Sequence, residues 1–184
     1  MKFERLAIPD VVLVTPKRFG DDRGFFSETY RANLFDEEGV VGPFVQDNHA
    51  YSADAGVLRG LHFQAPPMAQ AKLVRCIRGA ILDVAVDIRR SSPTYGQHVS
   101  AELTAENGAQ LFVPVGFAHA YLTLTPDSEV EYKVTEYYAP ETEGGLAWDD
   151  PAIGIDWPLP NGVPSLSEKD KVLPGLAEFD SPFE

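Results

Sequence analysis

The chain has 184 residues, 44% of them hydrophobic and 23% charged, which suits one soluble globular domain with a sizeable core. Its net charge of −13 excludes nucleic acid and anionic membrane as main partners, since both need a basic face; a small anionic ligand needs only a local cluster of Arg and Lys. The single Cys76 excludes an intrachain disulfide, CxxC metal patterns are absent, and no apolar run approaches the roughly 20 residues needed to cross a bilayer.

The opening MKFERLAIPD lacks the apolar core of a signal peptide, so a cytoplasmic protein is expected. The first predicted strand is VVLV (11–14), followed by GFFSETY (24–30). RANLFDEEG (31–39) is the one clear short helix, closed by Gly39. FVQDNHAYS (44–52), VLRGLHF (57–63) and AKLVRCIRG (71–79) continue the strands. The last two carry Arg59, His62 and Lys72 at positions where basic side chains are rarely buried without partners. Strict alternation sets Arg59 and His62 on opposite faces; Gly60, between them, offers a bulge that would bring both to one side.

AILDVAVDI (80–88) alternates cleanly: Leu82, Val84, Val86 and Ile88 share one face, Asp83, Ala85 and Asp87 the other, as in a half-buried antiparallel strand. GQHVSAELT (96–104), AQLFVP (109–114), AHAYLTLT (118–125) and EVEYKVTEYY (129–138) follow. In the last, Tyr132 and Tyr138 fall on one face and are expected to point into one cavity. Residues 140–184 are loop-rich, with one short helix expected near the end. No repeat or linker divides the chain. With 15 Pro and 15 Gly separating about ten short strands, an all-β sandwich or jelly-roll barrel is expected.

Several side chains have a plain role and a chemical one. In FVPVGFAHAYLT (112–123), Pro114, Gly116 and His119 form a P-x-G-x-x-H spacing that resembles the second motif of the cupin superfamily. Metal-binding cupins also need an H-x-H pair and a glutamate; here the stretch is GLHFQ, so His62 stands alone and no metal is expected. On its own, His119 reads as a strand histidine satisfied by a backbone carbonyl. A free imidazole titrates near pH ~6.5, so His62 is a natural general base if its other nitrogen is oriented. Lys72 is either a solvated strand lysine or, inside a barrel, the stabiliser of a developing oxyanion. Tyr132 is either a barrel-filling aromatic or a proton donor opposite a histidine. Asp170, in Ser167-x-x-Asp170, fits a helix cap and equally a carboxylate that orients His62, and both can hold. Arg23 and Glu28, in DDRGFFSE, form a charged edge-strand rim, or Arg23 pairs with an anionic ligand.

Taken together, GDDRGFFSETY, FVQDNHAYS, GVLRGLHFQ, AQAKLVRCIRGAILDVAVDIRRSSPTYGQ, FVPVGFAHAYLTL, EYKVTEYYAPETEGGLAWDDPAIGIDWP and LSEKD resemble the dTDP-4-dehydrorhamnose 3,5-epimerases. The resemblance runs from Ala7 to Lys171 and implies a cupin-type jelly roll, a homodimer and no metal or other cofactor. It implies epimerisation of dTDP-4-dehydro-6-deoxy-D-glucose to dTDP-4-dehydro-L-rhamnose, a step towards dTDP-L-rhamnose. By motif, His62 is the general base, Asp170 its partner, Tyr132 the proton donor, Lys72 the enolate stabiliser and Tyr138 the residue stacking on the nucleotide base. Arg23, Glu28, Gln46, Asp47, Asn48, Arg59, His119, Glu143 and Lys169 match substrate-binding positions. Four other readings compete: a mono-epimerase at C3 or C5, a cupin ketoisomerase, a metal-dependent cupin dioxygenase, and a non-catalytic sugar-binding cupin. The broken H-x-H speaks against the dioxygenase, and the joint presence of base, acid and enolate stabiliser against a mere binding module.

Overall fold

A computed structural model describes residues 1–40 and 42–184. Chain order runs β1 (Lys2–Arg5), β2 (Val12–Thr15), β3 (Arg18–Asp21), β4 (Gly24–Ser27), α1 (Ala32–Glu37), β5 (Gln46–Ser52), β6 (Leu58–Gln64) and β7 (Lys72–Arg78). It continues β8 (Ala80–Asp87), β9 (His98–Thr104), β10 (Gln110–Val113), β11 (Phe117–Thr123), β12 (Ser128–Val134) and β13 (Glu143–Gly145), with 3-10 turns at Pro140–Thr142 and Asp170–Val172. The strands form a six-stranded sheet, β1-β2-β10-β7-β12-β5, facing a five-stranded one, β13-β6-β11-β8-β9, and β3 and β4 make a separate hairpin. This is the expected jelly-roll architecture. No described helix is long and apolar enough to cross a membrane.

The alternating apolar positions decide what lies between the sheets. Val74 and Cys76 from β7 and Val130 from β12 meet Ile81, Ala85, Leu103, Phe117 and Tyr121 in the interior. The outer face of the five-stranded sheet is also covered: Val84, Val86, Ile88 and Leu122 pack under Leu146, Ile153, Trp157 and Phe183. Helix α1 closes part of the other sheet, laying Phe35 with Val40 over Val12, Val14, Leu73 and Phe112. Burial of each large apolar side chain contributes roughly 2 kcal/mol.

The half-buried reading of 80–88 is therefore corrected. The alternation is real, but both faces are buried: the 140–184 segment covers one, and the barrel interior encloses Asp83, which is 0% exposed. The strand expected over 129–138 ends at Val134, where its neighbours run out: Val134 pairs with Gln46, the first residue of β5, and with Lys72, the first of β7. The expected late helix is a single 3-10 turn. The short strands β1, β3 and β13 are additions: β1 and β3 are mostly exposed and present no buried alternate face, and β13 is three residues of which two are glycine.

Candidate active site

Strand β6 supplies Arg59 and His62. Across from it on β11, His119 faces His62 and Tyr121 faces Arg59, so three steps on β6 oppose two on β11. The extra residue is the bulge expected at Gly60, which has φ +128°. Arg59 and His62 consequently both line a cavity of about 620 Å³ between the sheets, while Leu61 and Phe63 pack behind.

His62 Nε2 lies 2.6 Å from Asp170 Oδ1, and Asp170 is 3% exposed. Donation of Nε2–H to the carboxylate leaves Nδ1 with the lone pair a base requires. Burial pushes the imidazole below its ordinary value of 6.5 against the upward pull of Asp170, and Lys169 and Lys72 push it further down. His62 is thus neutral at neutral pH. Of the capping pattern anticipated there, one bond is present, the backbone N–H of Asp170 donating to Ser167 Oγ at 3.2 Å, but the 3-10 turn starts after Lys169 and has no side-chain cap.

Lys72 opens β7 and lines the same cavity, its Nζ 3.4 Å from the carbonyl oxygen of His62. Burial pulls its ammonium down to about 8, opposed by the negative charges of Asp83 and Glu143 and assisted by Lys169. Tyr132 enters from β12 on the six-stranded sheet, opposite β6. Burial raises its phenol, which Arg59 partly offsets, so the hydroxyl keeps its proton.

His119 also lines the cavity, but its partner is not a backbone carbonyl as expected. Its Nε2 lies 2.6 Å from Asp83 Oδ1, both side chains being buried. The register explains this: Tyr121 stands opposite Asp83 and His119 opposite Ala85, making His119 a diagonal cross-strand neighbour of Asp83. Tyr121, which lines the cavity, and Asp83, which stands behind it and holds His119, are the residues that sequence reasoning missed. The available signal was a carboxylate in a strand whose other face is wholly apolar, together with a flanking run that buries it.

An adjoining cavity of about 200 Å³ shares His62, Lys72 and Tyr132 and adds Gln46, Asn48, Tyr138 and Glu143. Tyr138 reaches it from the loop after β12, its N–H donating to Gln46 Oε1 at 3.1 Å. Lys169 Nζ donates to Glu143 Oε1 at 2.6 Å. Three expected binding residues lie elsewhere. Strand alternation turns Asp47 outward, where its oxygens accept from Lys133 Nζ at 2.9 Å beside a separate cleft of about 150 Å³. Arg23 caps the exposed β3–β4 hairpin and pairs with Asp21, and Glu28 follows that hairpin, 3.8 Å from Arg31. Among the described residues, no group of three or more His, Cys, Asp or Glu side chains is placed to hold a metal ion.

A family model described as dTDP-4-dehydrorhamnose 3,5-epimerase matches residues 5–178. The chain is 54% identical over 184 residues to the dTDP-4-dehydrorhamnose 3,5-epimerase of Sinorhizobium fredii, covering 100% of this chain and 94% of that protein. Its structure is similar to that of the dTDP-4-dehydrorhamnose 3,5-epimerase of Bacillus anthracis with TDP and PPi bound: TM-score 0.92, 48% identity, 95% of this chain and 99% of that one. The dTDP-6-deoxy-D-glucose-3,5-epimerase of Legionella pneumophila, in complex with dTDP-4-keto-L-rhamnose, superposes with TM-score 0.93 at 42% identity, covering 97% of this chain and 94% of that one.

Proposed function

This chain belongs to the dTDP-4-dehydrorhamnose 3,5-epimerase family, and from that membership and the cavity's geometry we propose that it converts dTDP-4-dehydro-6-deoxy-D-glucose to dTDP-4-dehydro-L-rhamnose, on the way to dTDP-L-rhamnose. The observation that carries the mechanism is the placement of His62 and Tyr132 on opposite sheets of one cavity, with Lys72 beside them.

The C4 ketone acidifies the protons on C3 and C5. His62, neutral and held by Asp170, takes a proton from one face of the sugar. The Lys72 ammonium meets the negative charge that gathers on O4. Tyr132 returns a proton to the opposite face and inverts the centre, and the sequence repeats at the other carbon. The ketone is already present, so no redox step enters. Arg59 and Lys169 supply local positive charge for the diphosphate in a chain of net −13. Gln46, Asn48, His119, Tyr138 and Glu143 complete the pocket for sugar and base.

Arg23 and Glu28 act, in this reading, at the site of a second copy. Their hairpin leaves Phe19 55%, Phe25 61% and Phe26 71% exposed, an apolar surface fitted to a homodimer contact rather than to solvent. The chain works as one domain, because residues 140–184 share a packed layer with the barrel strands. Its acidity fits neither nucleic acid nor anionic membrane, and a nucleotide-sugar substrate fits the cytoplasm.

Turnover in deuterated water tests the reaction. Solvent deuterium should appear at C3 and at C5, with both centres inverted. Label and inversion at one carbon alone would identify a mono-epimerase, and product without label would remove the enolate mechanism.

A further inference from the structure

We propose that Asp83 is a positioning residue of this site: one carboxylate oxygen holds His119, and the other, buried in the barrel without a hydrogen-bond partner among the described residues, makes Asp83 the counter-charge of Lys72. The proposal rests on the reading of Lys72 as the cation that meets the enolate oxygen.

Asp83 points inward from the middle of β8, 0% exposed, and Lys72 points inward from β7 on the facing sheet. Oδ1 accepts from His119 Nε2 at 2.6 Å, while Oδ2 is the one buried carboxylate oxygen without a hydrogen-bond partner among the described residues. A carboxylate placed so deep persists only with a compensating charge in reach. Asp170 and Glu143 likewise each have one partner at 2.6 Å, His62 and Lys169 respectively, but neither leaves a buried oxygen without a hydrogen-bond partner.

The groups facing Lys72 come from every surrounding element. His62 and Arg59 project from β6, His119 and Tyr121 from β11, and Tyr132 from β12. Glu143 projects from β13, and Lys169 and Asp170 from the segment that crosses the cavity. Asp83 stands behind His119 rather than in the cavity lining, and its negative charge acts on Lys72 more strongly than that of Glu143. The physical consequence is direct. Burial favours the neutral amine, which has no charge to offer an enolate; Asp83 restores the charged form across the neutral range.

The test uses full-length protein carrying lysine labelled with carbon-13 at Cε, the Lys72 resonance being assigned by its loss in Lys72→Arg. In the wild type this resonance should titrate near the value of about 8 that burial and its neighbours produce. In Asp83→Asn the midpoint should fall by about one pH unit or more, and the alkaline limb of kcat should fall with it, so that acidification restores turnover. Asp83→Glu, which keeps the charge, should hold the midpoint near its wild-type position. His119→Gln should leave it in place, since the carboxylate is intact.

An unmoved Lys72 midpoint in Asp83→Asn overturns the proposal, as does an equal fall in His119→Gln, which would route the effect through the imidazole. A midpoint that falls while the alkaline limb of kcat stays put supports the coupling and removes Lys72 as the enolate cation instead. If Asp83→Asn does not fold, Asp83→Ser provides a second neutral variant for the same titration.

Discussion

His62 and Tyr132 owe their protonation states to the same cause, burial, acting with opposite sign on a base and an acid. A neutral imidazole can accept a proton, and a phenol held above its ordinary value can donate one. Tyr132→Phe should therefore separate the two half-reactions. Exchange of substrate protons with deuterated water should persist, while inverted product falls about 100-fold or more, as read by NMR of the sugar. Unimpaired inversion would move the acid elsewhere. The pH dependence of kcat follows from the same groups. With His62 as the proposed base, working in its neutral form, activity should rise with pH through a midpoint below 6.5. With Lys72 as the proposed cation, working as the ammonium, activity should fall as pH passes about 8. The profile should be bell-shaped between those limits, and an alkaline limb nearer 10.5 would show that Lys72 does not set it.

The β6 bulge is the element on which the site depends. At Gly60 an added Cβ would sit 2.5 Å from both Ala120 Cβ and the His119 carbonyl oxygen, at φ +128°. Gly60→Ala should cost roughly 2–4 kcal/mol from backbone strain and overpacking, measurable as a lower denaturant midpoint. Because Arg59 and His62 flank the bulge, kcat should fall further than the fraction unfolded accounts for; an unchanged Tm and rate would show that the bulge tolerates a side chain. The bulge was legible in the sequence, since strict alternation separates two residues that need one face and a glycine stands between them. The end of β12 was not: residues 135–138 continue the strand composition, and only the exhaustion of partners on β5 and β7 stops the ladder. Nor was the depth of β8, because period 2 reports that its two faces differ and says nothing of what covers each.

At the scale of the molecule, one chain holds His62, Tyr132 and Lys72 at its cavity while Arg23 stands at an exposed hairpin tip. If Arg23 acts at a second copy's site, Arg23→Ala and His62→Asn chains, each impaired alone, should complement when mixed and refolded together. A mixed dimer then contains one intact site, and random pairing restores about a quarter of wild-type turnover. Mixing without recovery would place Arg23 in its own chain's site or outside the reaction. Light scattering should give twice the chain's 20.2 kDa.

The sequence by itself determined the class of fold and the chemical inventory. Period-2 apolar runs cut by Pro and Gly can form only short antiparallel strands, and a lone histidine with lysine, tyrosine and aspartate in matching motifs names an acid–base site. Tertiary structure alone decided the electrostatics and the company each group keeps. Asp83 and Asp170 lie 36 and 108 residues from the histidines they hold, and pairing at such separations depends on strand register and on where the 140–184 segment crosses the barrel. Whether Asp83 faces water or a buried lysine is likewise set by a second sheet packed across from it, a relation that alternation within one strand does not encode.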